Sequence, residues 1–151
     1  GHFRDNWTHG CGIVGARRCS LEGKKYAIDV ASQEVARGRG LISGMAKGID
    51  SYAHTACLNA GGYTVAVVGN GLDICYPSEH KTLMNCIAEK GLLLAEYPPG
   101  VKPSRYTFPR RNRLISAWAE HIVVIAPGKR SGALITAEYG RKYGRQVEII
   151  T

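Results

Sequence analysis

The chain has 151 residues, enough for one domain with a sizeable core, and its 44% hydrophobic and 21% charged composition excludes a disordered polymer. Twenty Lys and Arg against 12 Asp and Glu leave a net charge of +8, which favours a polyanionic partner without specifying a fold. No apolar stretch approaches the roughly 20 residues of a membrane span and no signal-peptide pattern opens the chain, so a cytoplasmic protein with no membrane partner is expected.

Short apolar runs alternate with longer amphipathic stretches. The first strand is predicted at residues 11–15, followed by a helix over 22–37, a strand at 40–43 and a helix over 49–60. Further on come a strand at 64–68, a helix over 79–90 and a strand at 92–96. The last third reads as a helix over 111–119, a strand at 121–126, a helix over 131–143 and a strand at 146–150. Most of the strands are near-continuous apolar runs, as expected for strands covered on both faces. This alternation predicts an α/β fold, a mostly parallel sheet with helices on both faces. Asp50, Ser78 and Ser131 mark helix starts. Residues 97–109 hold Pro98, Pro99, Pro103 and Pro109, so they are expected to form one irregular loop, long enough to be functional. No repeat or linker interrupts the chain, and residues 1–151 read as a single domain.

Cys11, Cys19, Cys57, Cys75 and Cys86 are widely spaced, with no C-x-x-C pair. They are expected to be reduced thiols packed as small apolar groups, with no metal site. Trp7 and Trp118 are expected to be packing residues.

Ligands of open α/β sheets bind beyond the carboxyl ends of the strands. The strand ends here deliver glycines and cations to one rim: Gly15-Ala16-Arg17-Arg18, Ser43-Gly44-Met45-Ala46-Lys47-Gly48, Gly69-Asn70-Gly71, Arg110-Arg111-Asn112-Arg113, and Gly128-Lys129-Arg130-Ser131-Gly132. Glycines admit an anion to backbone N–H groups, helix N-termini add partial positive charge, and Ser43 and Ser131 offer hydroxyl donors. The segment 97–113 interleaves Tyr97, Tyr106 and Phe108 with Lys102, Arg105, Arg110, Arg111 and Arg113 and contains no acidic residue. Stacking aromatics beside cations suit single-stranded nucleic acid, with Phe108 the expected stacking ring. Arginines at a helix start oppose the macrodipole, a conflict that a phosphate there would relieve.

Cofactor signatures fit poorly. Gly69-Asn70-Gly71 begins a G-x-G-x-x-G whose third glycine is replaced by Ile74, and no Walker motif is present, so no cofactor is expected. Asp50 and His54 share a helix face, which reads as a structural cap and hydrogen bond before an acid–base pair. Asp73, Glu96 and Glu138 are scattered, and no catalytic residue is assigned.

Several blocks together resemble the Rossmann-like core of the DNA-processing protein A family (DprA/Smf). They are Ile13-Val14-Gly15-Ala16-Arg17, Ser43-Gly44-Met45-Ala46-Lys47-Gly48-Ile49-Asp50, Val68-Gly69-Asn70-Gly71-Leu72-Asp73 with Tyr76-Pro77, Glu96-Tyr97-Pro98-Pro99-Gly100, Phe108-Pro109-Arg110-Arg111-Asn112-Arg113, and Ser131-Gly132-Ala133-Leu134-Ile135-Thr136-Ala137. The resemblance implies a non-catalytic protein of natural transformation and recombination, with a basic pocket for single-stranded DNA. It also implies homodimers and a role in loading a RecA-type recombinase. By motif match the pocket falls on Gly15, Arg17, Ser43, Gly44, Lys47, Phe108, Arg110, Asn112, Arg113, Ser131 and Gly132. Arg18, Gly48, Arg111, Lys129 and Arg130 join them from the strand ends. The helical and winged-helix-like domains of many members have no counterpart in these residues. Ala126-Pro127-Gly128 stands where the family usually has an acidic residue and alanine. That Pro-Gly is similar to nucleotide-binding relatives such as phosphoribohydrolases, whose full motif is not reproduced. The competing readings are therefore a nucleotide sensor or nucleoside-monophosphate phosphoribohydrolase-like enzyme using the same cleft, and a partner-binding domain with a vestigial pocket.

Overall fold

Each connection between successive strands carries a helix, so the strands run parallel. The computed structural model describes residues 1–4, 10–128 and 131–151. Its strands are β1 Cys11–Gly15, β2 Leu41–Ser43, β3 Thr64–Val68, β4 Leu92–Ala95, β5 His121–Ile125 and β6 Gln146–Ile150. The helices are α1 Leu21–Ala36, α2 Ile49–Asn59, α3 Lys81–Lys90, α4 Thr107–Trp118 and α5 Gly132–Lys142. The sheet order is β4-β3-β2-β1-β5-β6, all parallel, a Rossmann-like topology. The chain winds outward from β1 to β4, then returns to lay β5 beside β1, with Cys11 opposite His121 and Gly15 opposite Ile125. Winding reverses between β1 and β5, so a crevice opens at their carboxyl ends.

Strand alternation sorts the core into two faces. Ile13, Leu41, Val123 and Ile125 pack with Ala27 and Ala31 of α1 and Ile49 and Ala53 of α2. Val14, Ile42, Val65, Ile122 and Val124 pack on the other face with Ile115 of α4 and Ala137 of α5. Covering of both faces describes the central strands; at the edge, Gln146, Glu148 and Ile149 of β6 are exposed. Trp118 packs edge-on against Phe3, with ring centroids 6.4 Å apart, whereas Trp7 lies outside the described residues. Among the described residues no helix is long and apolar enough to cross a membrane.

The helix ends show local chemistry at work. Ser20 caps α1, its Oγ accepting from Gly23 N, and Ser131 caps α5 by accepting from Ala133 N. Ser78 opens a short 3-10 turn over Ser78–His80, and α3 begins only at Lys81. The largest departure from expectation is α4, which starts at Thr107, four residues early, and shortens the proline loop. Pro109 is accommodated because it sits in the first helical turn, where its missing N–H has no intrahelical partner to lose. Ser104 Oγ accepts from the N–H groups of Tyr106 and Thr107 and ties that turn down.

Gly15 ends β1 where a Cβ would lie 2.2 Å from Ile125 O and 2.7 Å from Ile49 Cγ1. Gly15→Ala should therefore destabilise the fold by at least about 1–3 kcal/mol in urea unfolding, the usual range for overpacking. Gly128→Ala, with open space around the added carbon among the described residues, should stay within about 0.5 kcal/mol.

Candidate nucleic-acid interface

Two adjoining cavities, of about 480 and 130 Å³, occupy the crevice and share Arg17, Ala46, Phe108 and Arg111 in their walls. The larger reaches the loop after β1 and the first turns of α5; the smaller reaches Lys47, Asn70 and Tyr76. Phe108, half-buried, forms the common wall, with Arg17 Cζ 5.5 Å and Arg111 Cζ 5.4 Å from its ring centroid. Tyr76 packs against the same ring at 5.6 Å. The ring lies so close to the backbone after β3 that a Cβ on Gly69 would stand 2.9 Å from Phe108 Cδ1.

The floor of the crevice is a buried polar network. Arg111 donates through Nη1 to Gly44 O (2.8 Å) and Val67 O (2.6 Å), and through Nε to Asn112 Oδ1 (3.0 Å). Asn112 Nδ2 in turn donates to Gly132 O at 3.1 Å, joining α4 to the start of α5. Asp50 Oδ2 accepts from Gly44 N (3.1 Å) and Ala46 N (3.4 Å). Gly44 is thus clasped from both sides; an added Cβ would lie 2.8 Å from Arg111 Cζ and 2.9 Å from Asp50 Oδ2. Burial lowers Arg111 to about 10, with the charge of Asp50 opposing. Burial likewise raises Asp50, against the opposing charge of Arg111 and the two backbone amides.

Of the sequence-predicted residues, Gly15, Arg17, Phe108, Arg111, Asn112, Ser131 and Gly132 line the larger cavity. Gly44 and Lys47 line the smaller one, together with the shared Arg17, Phe108 and Arg111. Arg18, Ser43, Gly48, Arg110 and Arg113 line neither, and Lys129 and Arg130 lie outside the described residues. Ser43 offers no donor to a ligand, because its buried Oγ donates to Ile13 O. Gly48 brings protein against protein rather than protein against anion: its φ is +80°, and a Cβ would lie 2.3 Å from Ala16 O.

The cations at the start of α4 are compensated within the protein, beside the phosphate that the sequence offered as relief for their conflict with the helix dipole. Arg110 and Arg113 both pair with Glu96, just before the acid-free segment. Lys47 pairs with Glu79 at 3.1 Å. Arg17 is exposed and has no ion pair among the described residues. Arg105 and Thr136 also line the larger cavity; in the sequence they stood only as one cation of the 97–113 segment and one residue of the 131–137 block, with no place in the pocket. Among the described residues the buried Thr136 Oγ1 has no hydrogen-bond partner. Thr136 sits one helical turn beyond Gly132, so helical spacing from the capping serine was the signal available.

Asp50 and His54 do not form an acid–base pair. Asp50 is engaged by the loop amides, and His54 Nδ1 shares a 2.7 Å hydrogen bond with Thr64 Oγ1. Both side chains are buried, and burial, aided by the charges of His80 and Arg111, lowers His54 to about 3.

A family model for DNA recombination-mediator protein A matches residues 1–151. The chain is 43% identical over 138 residues to the Smf protein of a Synechocystis species, covering 91% of this chain and 35% of that protein. It therefore spans only about a third of that relative, and 48% of the DprA of Streptococcus pneumoniae, to which it is 42% identical. The crystal structure of the Streptococcus pneumoniae DNA processing protein A superposes with a TM-score of 0.87 at 39% identity, over 95% of this chain and 50% of that one. DNA processing protein A from Helicobacter pylori, a protein with a described single-stranded DNA binding mode, superposes with a TM-score of 0.86 at 29% identity. That match covers 93% of this chain and 64% of the other.

The buried His54 makes stability depend on pH. Its folded-state pKa is depressed from 6.5 to about 3, so the unfolded chain takes up a proton that the fold refuses. Stability is full above the ordinary histidine pKa and is lost as pH falls from there toward the folded value, at up to about 1.4 kcal/mol per pH unit. Urea titrations at stepped pH should show this slope in the parent protein and a slope shallower by about one proton in His54→Gln.

Proposed function

The chain belongs to the DNA recombination-mediator protein A family, and we propose that it binds single-stranded DNA in the crevice between β1 and β5, without catalysing a reaction. The carrying observation is the half-buried Phe108 ring on the wall between two cavities, with Arg17 exposed beside it. A base stacks on such a ring while a cation tracks the phosphate, an arrangement that tolerates any sequence. Gly132 and the capped first turn of α5 supply further anion-facing backbone at the larger cavity. Arg105 and Lys47 extend positive charge to either side. The site proposed is thus Arg17, Lys47, Phe108, Ser131 and Gly132. Arg18, Arg110, Arg113, Lys129 and Arg130 form its outer cationic field, and Gly15, Ser43, Gly44, Gly48, Arg111 and Asn112 set its shape. Asp50 and His54 are held in internal bonds, which supports a binding role over acid–base chemistry. Membership further supports a cytoplasmic protein of DNA uptake and recombination that hands single strands to a RecA-type recombinase, acting as a homodimer.

A cavity of about 480 Å³ is also within the size range of small-molecule sites, so a mononucleotide ligand is the second reading. Competition separates the two: labelled oligo-dT should be displaced by unlabelled oligo-dT and not by equimolar nucleotide monophosphates. Displacement by the monophosphates, or equal affinity for duplex DNA, would overturn the proposal.

The same titration repeated across salt concentrations should divide residues by role. Arg17→Ala should lower the slope of log affinity against log salt by about 0.7, the value for one phosphate contact on a single strand. Phe108→Ala should weaken binding by roughly 1–3 kcal/mol with little change of slope. Glu96→Gln should tighten binding by up to about fivefold, because it releases Arg110 and Arg113 from a surface carboxylate worth at most ~1 kcal/mol. Arg37→Ala, on the far end of α1, should bind like the parent.

A further inference from the structure

At the opposite end of the sheet, three potential ligands converge from separate elements. Cys11 opens β1, His121 opens β5 directly beside it, and Glu34 reaches them from the last turn of α1. Their ligand atoms, a sulfur, a ring nitrogen and a carboxylate oxygen, all lie within 4.8 Å of one another, and His121 Nε2 is 3.5 Å from Glu34 Oε1. Cys11 and Glu34 are buried, at 0% and 4% exposure, so these are not surface carboxylates gathered by chance. We propose that Cys11, Glu34 and His121 form a binding site for a zinc-class divalent metal, clipping α1 to the central strand pair.

The donor set selects the metal. Thiolate, imidazole and carboxylate suit zinc or cobalt, whereas magnesium and calcium take oxygen ligands alone. With metal–ligand bonds of about 2.0–2.3 Å, tetrahedral ligands stand roughly 3.3–3.8 Å apart, so the cluster, with its ligand atoms within 4.8 Å, need contract by at most about 1–1.5 Å. Glu34 and His121 also line a cavity of about 530 Å³ with Arg39 and Glu148, the side from which an ion and a water ligand would enter the cluster. Burial, then the charge of Glu34, holds the Cys11 thiol far above its ordinary value, with Arg39 opposing and Glu148 reinforcing. Binding therefore displaces the thiol proton to solvent as the sulfur–metal bond forms.

Two guanidiniums compete with the ion. Arg37 Nη1 lies 3.2 Å from Glu34 Oε1 and Arg39 Nη1 lies 3.3 Å from Oε2, with the two side chains 59% and 39% exposed. Both reach the carboxylate on flexible stems, so Arg37 can yield Oε1 to the metal while Arg39 keeps Oε2. A metal ligand held by a second polar partner in this way is the usual arrangement around bound ions.

Cobalt(II) titration followed by absorption tests the site directly, since a cobalt–thiolate bond gives a charge-transfer band. The protein should develop that band to an end point of one equivalent, and zinc should abolish it. Cys11→Ser should lose the band, and His121→Asn should bind cobalt at least about tenfold more weakly. Zinc should raise the Tm of the parent by ligand linkage and raise that of His121→Asn less at the same zinc concentration. His121 is partly exposed, so His121→Asn decides the matter even where Cys11→Ser fails to fold. Absence of the band in the parent, its survival in Cys11→Ser through Cys19, Cys57, Cys75 or Cys86, or parent-like affinity in His121→Asn would each overturn the proposal.

Discussion

The buried guanidinium of Arg111 is the group on which the crevice depends. It is nearly buried, yet it reaches two carbonyls on neighbouring strand ends and one side-chain amide on its own helix. Asp50, on the far side of Gly44, supplies the compensating negative charge. A charge removed from water is tolerated only when its attractions and hydrogen bonds offset the desolvation, and here the partners come from four separate segments. The network fixes the relative positions of β2, β3, α2 and α4, and Asn112 extends it to α5. Removing either ion would leave the other buried and uncompensated. The network therefore makes the crevice rigid as well as polar.

Above this floor, the cations fall into two groups with different electrostatic histories. Arg17 projects into water beside Phe108. Lys47, Arg110 and Arg113 already have carboxylate partners. An incoming phosphate must replace Glu79 or Glu96 to engage them, so each such contact is an exchange of anions and gains less than the formal charge suggests. The net charge of +8 overstates what the cleft offers a ligand.

The fold was legible because its signals are local and repeated. Apolar strands such as 64–68 and 121–125, each followed by a helical period, leave few alternatives to a parallel sheet. The candidate crevice was legible as a region, because topology dictates which strand ends share a rim. Individual roles were not. Gly44 and Gly48 look alike in sequence to any phosphate-loop glycine, yet each is required by close protein–protein approach. Arg110, Arg111 and Arg113 are neighbours in sequence and diverge completely: one is buried in the core, and two lie on the surface with Glu96. Side-chain direction around a helix turn separates them, and the start of that helix was misplaced because prolines obscure it. Glu96 itself stood just outside the acid-free segment, where only the three-dimensional path of the chain brings it back.

The pairing of β1 with β5 has a consequence for how the protein comes into being. Within this sheet β1 is made before the other strands, and one of its edges can be closed by β2 after a single helix. Its other edge must wait for His121–Ile125, made after β2, β3 and β4. Until then an apolar strand stands with unpaired backbone groups, the template for joining the wrong chain. The crevice lies between these same two strands, so no chain that stops short of β5 possesses it.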